Sequence, residues 1–376
     1  MGLPTPLAKF LAREHSIRPL GPDVLFIGRQ TIPLSLEALN TILGHYGLTN
    51  RAPGEVEYDR ETRGTEGKSF ITDRYFMKSL GVNKFHALDV TDYEGADIVW
   101  DLGEAIPEKY YGKYDLIYNG SCLDNMFNPG VALMNLSKLL KLNGRMINIE
   151  NASSWNDPYL IFSPGWFYDF YVSNNYKHCE IYLISYKDND ELYYGPWEMQ
   201  FVNVPSNTSG APPEVPRGIH LVLLTIAEKG DNSTDTVQPV QSQFRATKEL
   251  QEAFRRSEAS LQAASRPLVN GQTIDPANSP YLVDVGRFGL GLDRPESERQ
   301  RQVGGVASFR LAELLCSTAK VLTPLAKLLP AISNLVRRID QAGIDMWNRA
   351  ESNLVQRADQ TGIDMWNRAK IRRHSN

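Results

Sequence analysis

The stretch 84–125 constrains the fold most. It holds three short apolar runs, 85–90, 96–102 and 114–118, rich in Val, Ile, Leu and aromatics. Runs of this length and composition read as strands buried on both faces of a parallel sheet, not as amphipathic helices. Asp89 lies in the first run, Asp101 in the second, and Asn119-Gly120 follow the third. Ligands of an open parallel sheet bind outside the carboxyl ends of its strands. Two carboxylates, an amide and a glycine at those ends suit a nucleoside. One carboxylate can accept both hydroxyl protons of a ribose diol, and a second can take the adenine amino group.

Only an alternating strand–helix order brings such ends together, and the rest of the chain supplies it. Residues 23–28 (DVLFIG) read as a first strand, entered through Gly21-Pro22. Leu34, Leu36, Leu39, Ile42, Leu43 and Tyr46 then recur at helical spacing, with Pro33 suited to the first turn. Gly28 therefore sits where strand turns into helix, the usual place of close approach to a cofactor. The turn reads Gly28-Arg29-Gln30-Thr31-Ile32-Pro33, with no GxGxxG. Residues 49–69 form a polar, charged loop, either a lid or a solvated insertion. A short helix over 72–80 ends at Gly81, and a longer one over 131–142 stops at Asn143-Gly144. Residues 145–150 read as a fifth strand. A final β pair, 180–186 and 219–227, is separated by a proline-bearing loop, so one α/β domain closes near Lys229.

Charge narrows the partners. Residues 1–230 carry a net −8, 231–330 a net +1 and 331–376 a net +3, so the whole chain stands at −4. A polyanion needs a basic footprint, and no nucleic acid is expected. Three scattered cysteines, Cys122, Cys179 and Cys316, fit a reducing compartment better than a disulfide framework or a zinc site. No two histidines lie within five residues, so no metal-ligand spacing is visible. Lys9, Arg13, Glu14 and the prolines Pro4 and Pro6 break any signal-peptide core, and no uncharged run spans a bilayer. The expected setting is cytoplasmic, peripheral at the inner face of the membrane at most.

The order strand, turn, helix, two acid-ended strands, then a strand followed by Asn-Gly resembles the class I S-adenosylmethionine-dependent methyltransferases. Residues 86–150 resemble, more narrowly, methyltransferase-domain proteins of bacterial polysaccharide and glycan biosynthesis clusters. The matching stretches are LDVTDYEGADIVWDL, YDLIYNGSCLDNMFNP, LLKLNGR and FSPGWFYDFYVSNNY. The resemblance covers about residues 20–230. It implies an α/β, Rossmann-like seven-stranded sheet in which 180–186 and 219–227 are the antiparallel sixth and seventh strands. It also implies S-adenosyl-L-methionine as cofactor. Gly28, Arg29 and Gln30 would line its methionine part, with Arg29 able to meet the carboxylate. Asp89 would hold the ribose, Asp101 and Leu102 would flank the adenine, and Asn119-Gly120 would lie beneath the sulfonium.

Methyl transfer aligns acceptor oxygen, methyl and sulfur, and often removes a proton from the acceptor. Candidates for the acceptor side follow the fifth strand: Asn151, Trp155, Trp166 and Tyr168 as binding groups, Asp157, Asp169 and His178 as base. Seven aromatics lie in 158–171, and rings so dense either stack on a sugar or pack as a cap over the sheet; packing is favoured for most. A lone histidine before a strand, such as His178, is more often structural than catalytic.

Beyond 230 the composition changes. Residues 231–305 read as a linker carrying one charge-paired helix (242–264) and irregular chain. Residues 306–376 read as a helical C-terminal extension with a tandem repeat, 333–351 and 352–370, of period 19. At 100° per residue the two copies fall on different helix faces, so Trp347 and Trp366 cannot share one straight seam. Tandem duplication alone could account for it. Self-association or docking on an anionic membrane are the functional readings. The chain as a whole reads as an O-methyltransferase acting on a small-molecule or glycan acceptor. Its rivals are an inactive scaffold, a nicotinamide-dependent enzyme and an interaction protein working through its tail. The nicotinamide reading is disfavoured by the missing glycine-lined turn.

Overall fold

The computed structural model describes residues 2–62, 65, 67–154, 158–204, 218–241, 244–262 and 281–288. All belong to the first of two compact units, Met1–Arg294. The helical extension and its repeat, expected over 306–376, lie outside the described residues.

The first unit is a single mixed sheet between two helical layers. Its strands are β1 (Asp23–Ile27), β2 (Lys84–Asp89), β3 (Ile98–Val99), β4 (Tyr114–Gly120), β5 (Leu140–Asn151), β6 (His178–Tyr186), β7 (Trp197–Val202), β8 (His220–Glu228) and β9 (Leu282–Phe288). Their spatial order is β3-β2-β1-β4-β5-β8-β6-β7-β9. Strands β3, β2, β1, β4 and β5 are parallel, and β8 runs antiparallel between β5 and β6. That antiparallel insertion is what the resemblance implies for the final β pair, and the fold is α/β and methyltransferase-like. The sheet has nine described strands, however. Strand β7 lies in the stretch read as proline-bearing loop, and β9 in the stretch read as irregular chain; they pair with each other from Trp197↔Phe288 to Val202↔Leu282.

The helices are α1 (Thr5–Ile17), α2 (Leu36–His45), α3 (Asp73–Ser79), α4 (Pro129–Leu139), α5 (Pro164–Ser173), α6 (Asn189–Tyr194) and α7 (Lys248–Gln262). Strand alternation sorts the core. Phe26 joins Phe10, Ile42 and Phe76 on one face, while Leu25 and Ile27 join Leu136, Phe167 and Leu261 on the other. Helix α2 begins after Ser35, whose side chain accepts from Ala38 N at 3.2 Å, so Pro33 precedes the helix instead of opening it. Thr72 caps α3 in the same way. Helix α4 stops at Leu139, earlier than the periodicity suggested, because Leu140 already pairs with Tyr114.

The charged loop 49–69 is pinned where it is described. Asp59 N donates to Phe70 O at 2.8 Å, Thr72 N to Glu57 O at 2.9 Å, and Tyr58 bridges Ile71. Residues 57–62 thus form a strap across the end of β1.

Candidate functional site

A cavity of about 610 Å³ opens at the carboxyl ends of β1, β2 and β4. It gathers Gly28, Arg29, Gln30, Asp89, Asp101, Leu102 and Gly120, seven of the eight residues expected around a nucleoside cofactor. Parallel pairing Ile27↔Leu88, Asp89↔Val99 and Ile27↔Asn119 brings these ends level.

Each group has a local reason for its position. Gly28 has φ 70°, a left-handed conformation that favours glycine, and its N–H donates to Leu88 O at 2.8 Å. A Cβ there would lie 3.4 Å from Asp89 Oδ2, so the carboxylate lies against bare backbone. Asp89 Oδ1 accepts from Val90 N at 2.6 Å, which fixes the carboxylate and leaves Oδ2 toward Gly28. Asp101 is exposed, and its Oδ1 accepts from Gly103 N at 2.7 Å. Asn135 on α4 holds this loop from below, donating to Leu102 O at 2.9 Å and Glu104 O at 2.8 Å. Asn135 was not anticipated from the sequence, where it is one polar residue in an amphipathic helix.

Gln30 is buried. Its Nε2 donates to Ile27 O at 3.0 Å, while its Oε1 has no hydrogen-bond partner. A Cβ on Gly120 would fall 2.5 Å from that oxygen, so the glycine makes room for the amide. Trp100 Nε1, on the same cavity, is likewise buried and unpartnered. Val90 and Phe127, which also line the cavity, stand 62% and 95% exposed, apolar surface left uncovered. Burial, with the charges of Glu150, Asp89 and Asp124, pushes the Cys122 thiol up to about 12, so it lines the cavity as a neutral group.

Arg29 is not free to meet a ligand carboxylate. Its Nε donates to Asp73 Oδ2 at 3.0 Å, Nη2 to Asp73 Oδ1 at 2.9 Å, and Nη1 to Glu61 Oε2 at 2.6 Å and Glu94 O at 3.1 Å. Burial works against the guanidinium charge, but the hydrogen bonds and charges of Asp73 and Glu61 outweigh it and raise its pKa. Burial raises the Asp73 carboxyl above its ordinary range. Its two guanidinium bonds, with N–H donors from Gln30 and Arg74, support the ion pair. Arg29 therefore locks strap and α3 to the turn after β1.

Asn119, the eighth expected residue, turns inward. Its Nδ2 donates to Asn148 Oδ1 at 3.2 Å and to Glu150, and its Oδ1 accepts from Cys122 N at 3.1 Å. Glu150, fully buried, also accepts from Leu123 N at 3.1 Å and Asp124 N at 3.0 Å. It thereby holds the 3-10 turn Leu123–Asn125 that floors the cavity. Burial and the Asp124 charge push its carboxyl well above the usual range, against the pull of these three donors.

The residues expected on the acceptor side do not assemble. Asn151 is buried and spends its amide on Ser154 O and Leu160 O, 2.7 and 3.1 Å away. Trp155 and Asp157 lie outside the described residues. Trp166 packs on Phe162 and Phe167 and lines a different cavity, between α4 and α5. Asp169 pairs there with Arg245 at 2.8 Å. Tyr168 is buried, as are Phe162, Phe167, Phe170 and Tyr171, in keeping with the packing reading of this aromatic segment. His178 stands at the other edge of the sheet. It pairs with Glu228, which pairs with Arg145 at the amino side of β5. Five residue steps along β5, roughly 17 Å, separate that row from Glu150 near the carboxyl end. His178 faces Glu180 at 3.2 Å and is a structural histidine.

Among the described residues no group of three His, Cys, Asp or Glu could hold a metal, and no helix is long and apolar enough to cross a membrane. No known protein family and no curated protein matches the chain in sequence. Solved structures do match. One is 1,6-didemethyltoxoflavin-N1-methyltransferase of Burkholderia thailandensis with S-adenosylhomocysteine bound. It is 14% identical, covers 60% of this chain and 79% of its own, and has a TM-score of 0.28. Another is an O-methyltransferase from a trans-AT polyketide multienzyme of Brevibacillus brevis, in complex with S-adenosyl-L-homocysteine. It is 11% identical, with coverage of 67% and 78% and a TM-score of 0.30. A putative methyltransferase of Bacillus halodurans is 14% identical, with coverage of 58% and 98% and a TM-score of 0.27. Each TM-score is below 0.5, so the site rests on this chain's own geometry.

Proposed function

We propose that the cavity at the carboxyl ends of β1, β2 and β4 binds S-adenosylmethionine, and that the chain transfers the methyl group to a hydroxyl of a sugar or glycan intermediate. The observation that carries the reading is the pair Asp89 and Asp101 on adjacent strand ends, lining one cavity together with Gln30. The residues fit the cofactor's parts. Asp89 Oδ2 is an acceptor for ribose hydroxyls, and Asp101 is an acceptor for an adenine amino group. Leu102, Val90 and Phe127 supply apolar surface for a flat base.

When bound, S-adenosylmethionine supplies an electrophilic methyl on a sulfonium. The chain's own contribution is to orient and exclude water. Asp89 fixes one end of the site, Gly120 lets Gln30 approach, and Glu150 holds the floor. His178 takes no part in proton removal from its edge of the sheet. The test is incubation of the full chain with methyl-labelled S-adenosylmethionine and extract containing native glycan intermediates. Label in a carbohydrate product, abolished by Asp89→Ala, is expected. Label that never leaves the cofactor would favour the inactive-scaffold reading.

A further inference from the structure

The methyltransferase reading leaves proton removal from the acceptor without a group to perform it. Of the bases expected after the fifth strand, Asp157 lies outside the described residues, Asp169 pairs with Arg245, and His178 belongs to the far edge of the sheet. We infer that Ser121 and Asp124 form a proton relay at the carboxyl end of β4. The Ser121 hydroxyl accepts the proton of the acceptor and hands its own to the Asp124 carboxylate. The inference rests on the methyltransferase reading and deepens it at the same cavity.

Position selects the pair. Ser121 directly follows Gly120, and both line the cavity at the end where that reading puts the sulfonium. Ser121 is partly exposed, whereas Asp124 behind it is 1% exposed. The Ser121 Oγ donates to Asp124 Oδ2 at 2.6 Å. That carboxylate also accepts from Asn125 Nδ2 at 2.7 Å on Oδ1 and from Asn151 N at 3.2 Å on Oδ2. Three donors fix the carboxylate in one orientation. Of the three only the hydroxyl can hand on a proton, because its oxygen keeps lone pairs that accept a second one. Ser121 has φ 67°, in the left-handed region that favours glycine. Glycine would hold this turn with less strain, so what the serine adds is its hydroxyl.

Among the described residues, the other carboxylates near the cavity do not fit the task. Asp89 and Asp101 line it, but beyond β2 and β3, where the reading uses them for ribose and adenine. Asp73 and Glu61 reach a lining residue, Arg29, whose guanidinium stays protonated and passes nothing on. Glu150 accepts from Asn119, Leu123 and Asp124, none of which lines the cavity. The step balances within the pair. As the acceptor oxygen bonds to the methyl carbon, the carbon–sulfur bond breaks and its electron pair stays on sulfur. The acceptor's proton goes to Ser121 Oγ, the Ser121 proton goes to Asp124 Oδ2, and Asp124 afterwards releases it to water.

The experiment compares the full chain with Ser121→Gly, Asp124→Asn and their double variant. Urea unfolding of the free protein reads the pair without any ligand. The double variant should cost less than the two single ones together, by about threefold or more in the folding equilibrium. Calorimetry should place the S-adenosylhomocysteine affinity of Ser121→Gly within about twofold of wild type. With saturating methyl-labelled S-adenosylmethionine and the same glycan extract, each single variant should lose about 100-fold or more in initial rate of label transfer. The double variant should lose no more than either alone, as residues acting as a unit do. Additive unfolding costs, or a Ser121→Gly rate within about threefold of wild type, overturn the relay and leave the methyltransferase reading standing. Should Asp124→Asn not fold, the Ser121→Gly rate decides by itself, since glycine suits this backbone. A wild-type chain that binds S-adenosylhomocysteine but transfers no label refutes the methyltransferase reading, and the relay with it.

Discussion

At the amino edge of the sheet, Arg18 and Lys177 both pair with Glu228, Lys141 bridges Asp23 and Asp115, and Arg145 meets Glu14. At the carboxyl edge Asp89, Gln30 and Trp100 line a cavity, with Gln30 Oε1 and Trp100 Nε1 buried and without hydrogen-bond partners, and Val90 and Phe127 stand in water. Both edges hold buried polar chemistry, but at the amino edge it is closed on itself. A buried polar atom left without a partner costs free energy that only a ligand or water can return. The difference therefore separates charges that hold the fold from charges kept for a ligand. It also explains why His178 belongs with the first set.

The sharpest break in that comparison is Arg29, which lies at the ligand edge yet is closed on itself. Arg29→Met strands the Asp73 carboxylate, 0% exposed in its side chain. Breaking a buried pair this way costs about 3–5 kcal/mol, and urea unfolding should register that loss. Asp89→Ala should behave in the opposite manner. It should weaken S-adenosylhomocysteine binding by about 1.5–3 kcal/mol, read by calorimetry, with the unfolding midpoint nearly unchanged.

Glu150 sharpens the comparison through pH. Its folded carboxyl keeps its proton above the ordinary glutamate range, so the unfolded chain binds fewer protons across that interval. Stability should therefore fall as pH rises from the ordinary glutamate range toward Glu150's raised value. The slope is at most about 1.4 kcal/mol per pH unit for one group. Glu150→Gln should flatten that slope in denaturation series between about pH 4 and about pH 8. The smallest effect is expected at the amino edge. Lys141 is about a third exposed, 32% in its side chain, and Lys141→Ala should cost about 0.2–1 kcal/mol of stability without altering ligand affinity.

Much of this was legible in the residues. The apolar runs ending at Asp89 and Asp101 announce their strands, because burial on both faces leaves a continuous apolar pattern. Gly28 marks its turn, and Gly120 its place in the site. What stayed hidden was set by partners distant in sequence. Strand β9 pairs across eighty residues or more with β7, whose Trp197 and Met199 alternate weakly beside prolines. The inward turn of Asn119 depends on Glu150, which reads locally as the end of an ordinary strand. Arg29 looked available because Asp73 and Glu61, which engage it, are 44 and 32 positions away. His178 looked adjacent to the fifth strand until antiparallel β8 fixed its register at the far edge.

We propose the carboxyl-edge pocket as a site for S-adenosylmethionine and not for a dinucleotide. Calorimetric titration of the full chain with S-adenosylhomocysteine, and separately with a nicotinamide dinucleotide, tests it most directly. Saturable 1:1 binding of S-adenosylhomocysteine, weakened by Asp89→Ala and by Gln30→Leu, is the expected result. Binding of the dinucleotide with none of S-adenosylhomocysteine would contradict the account.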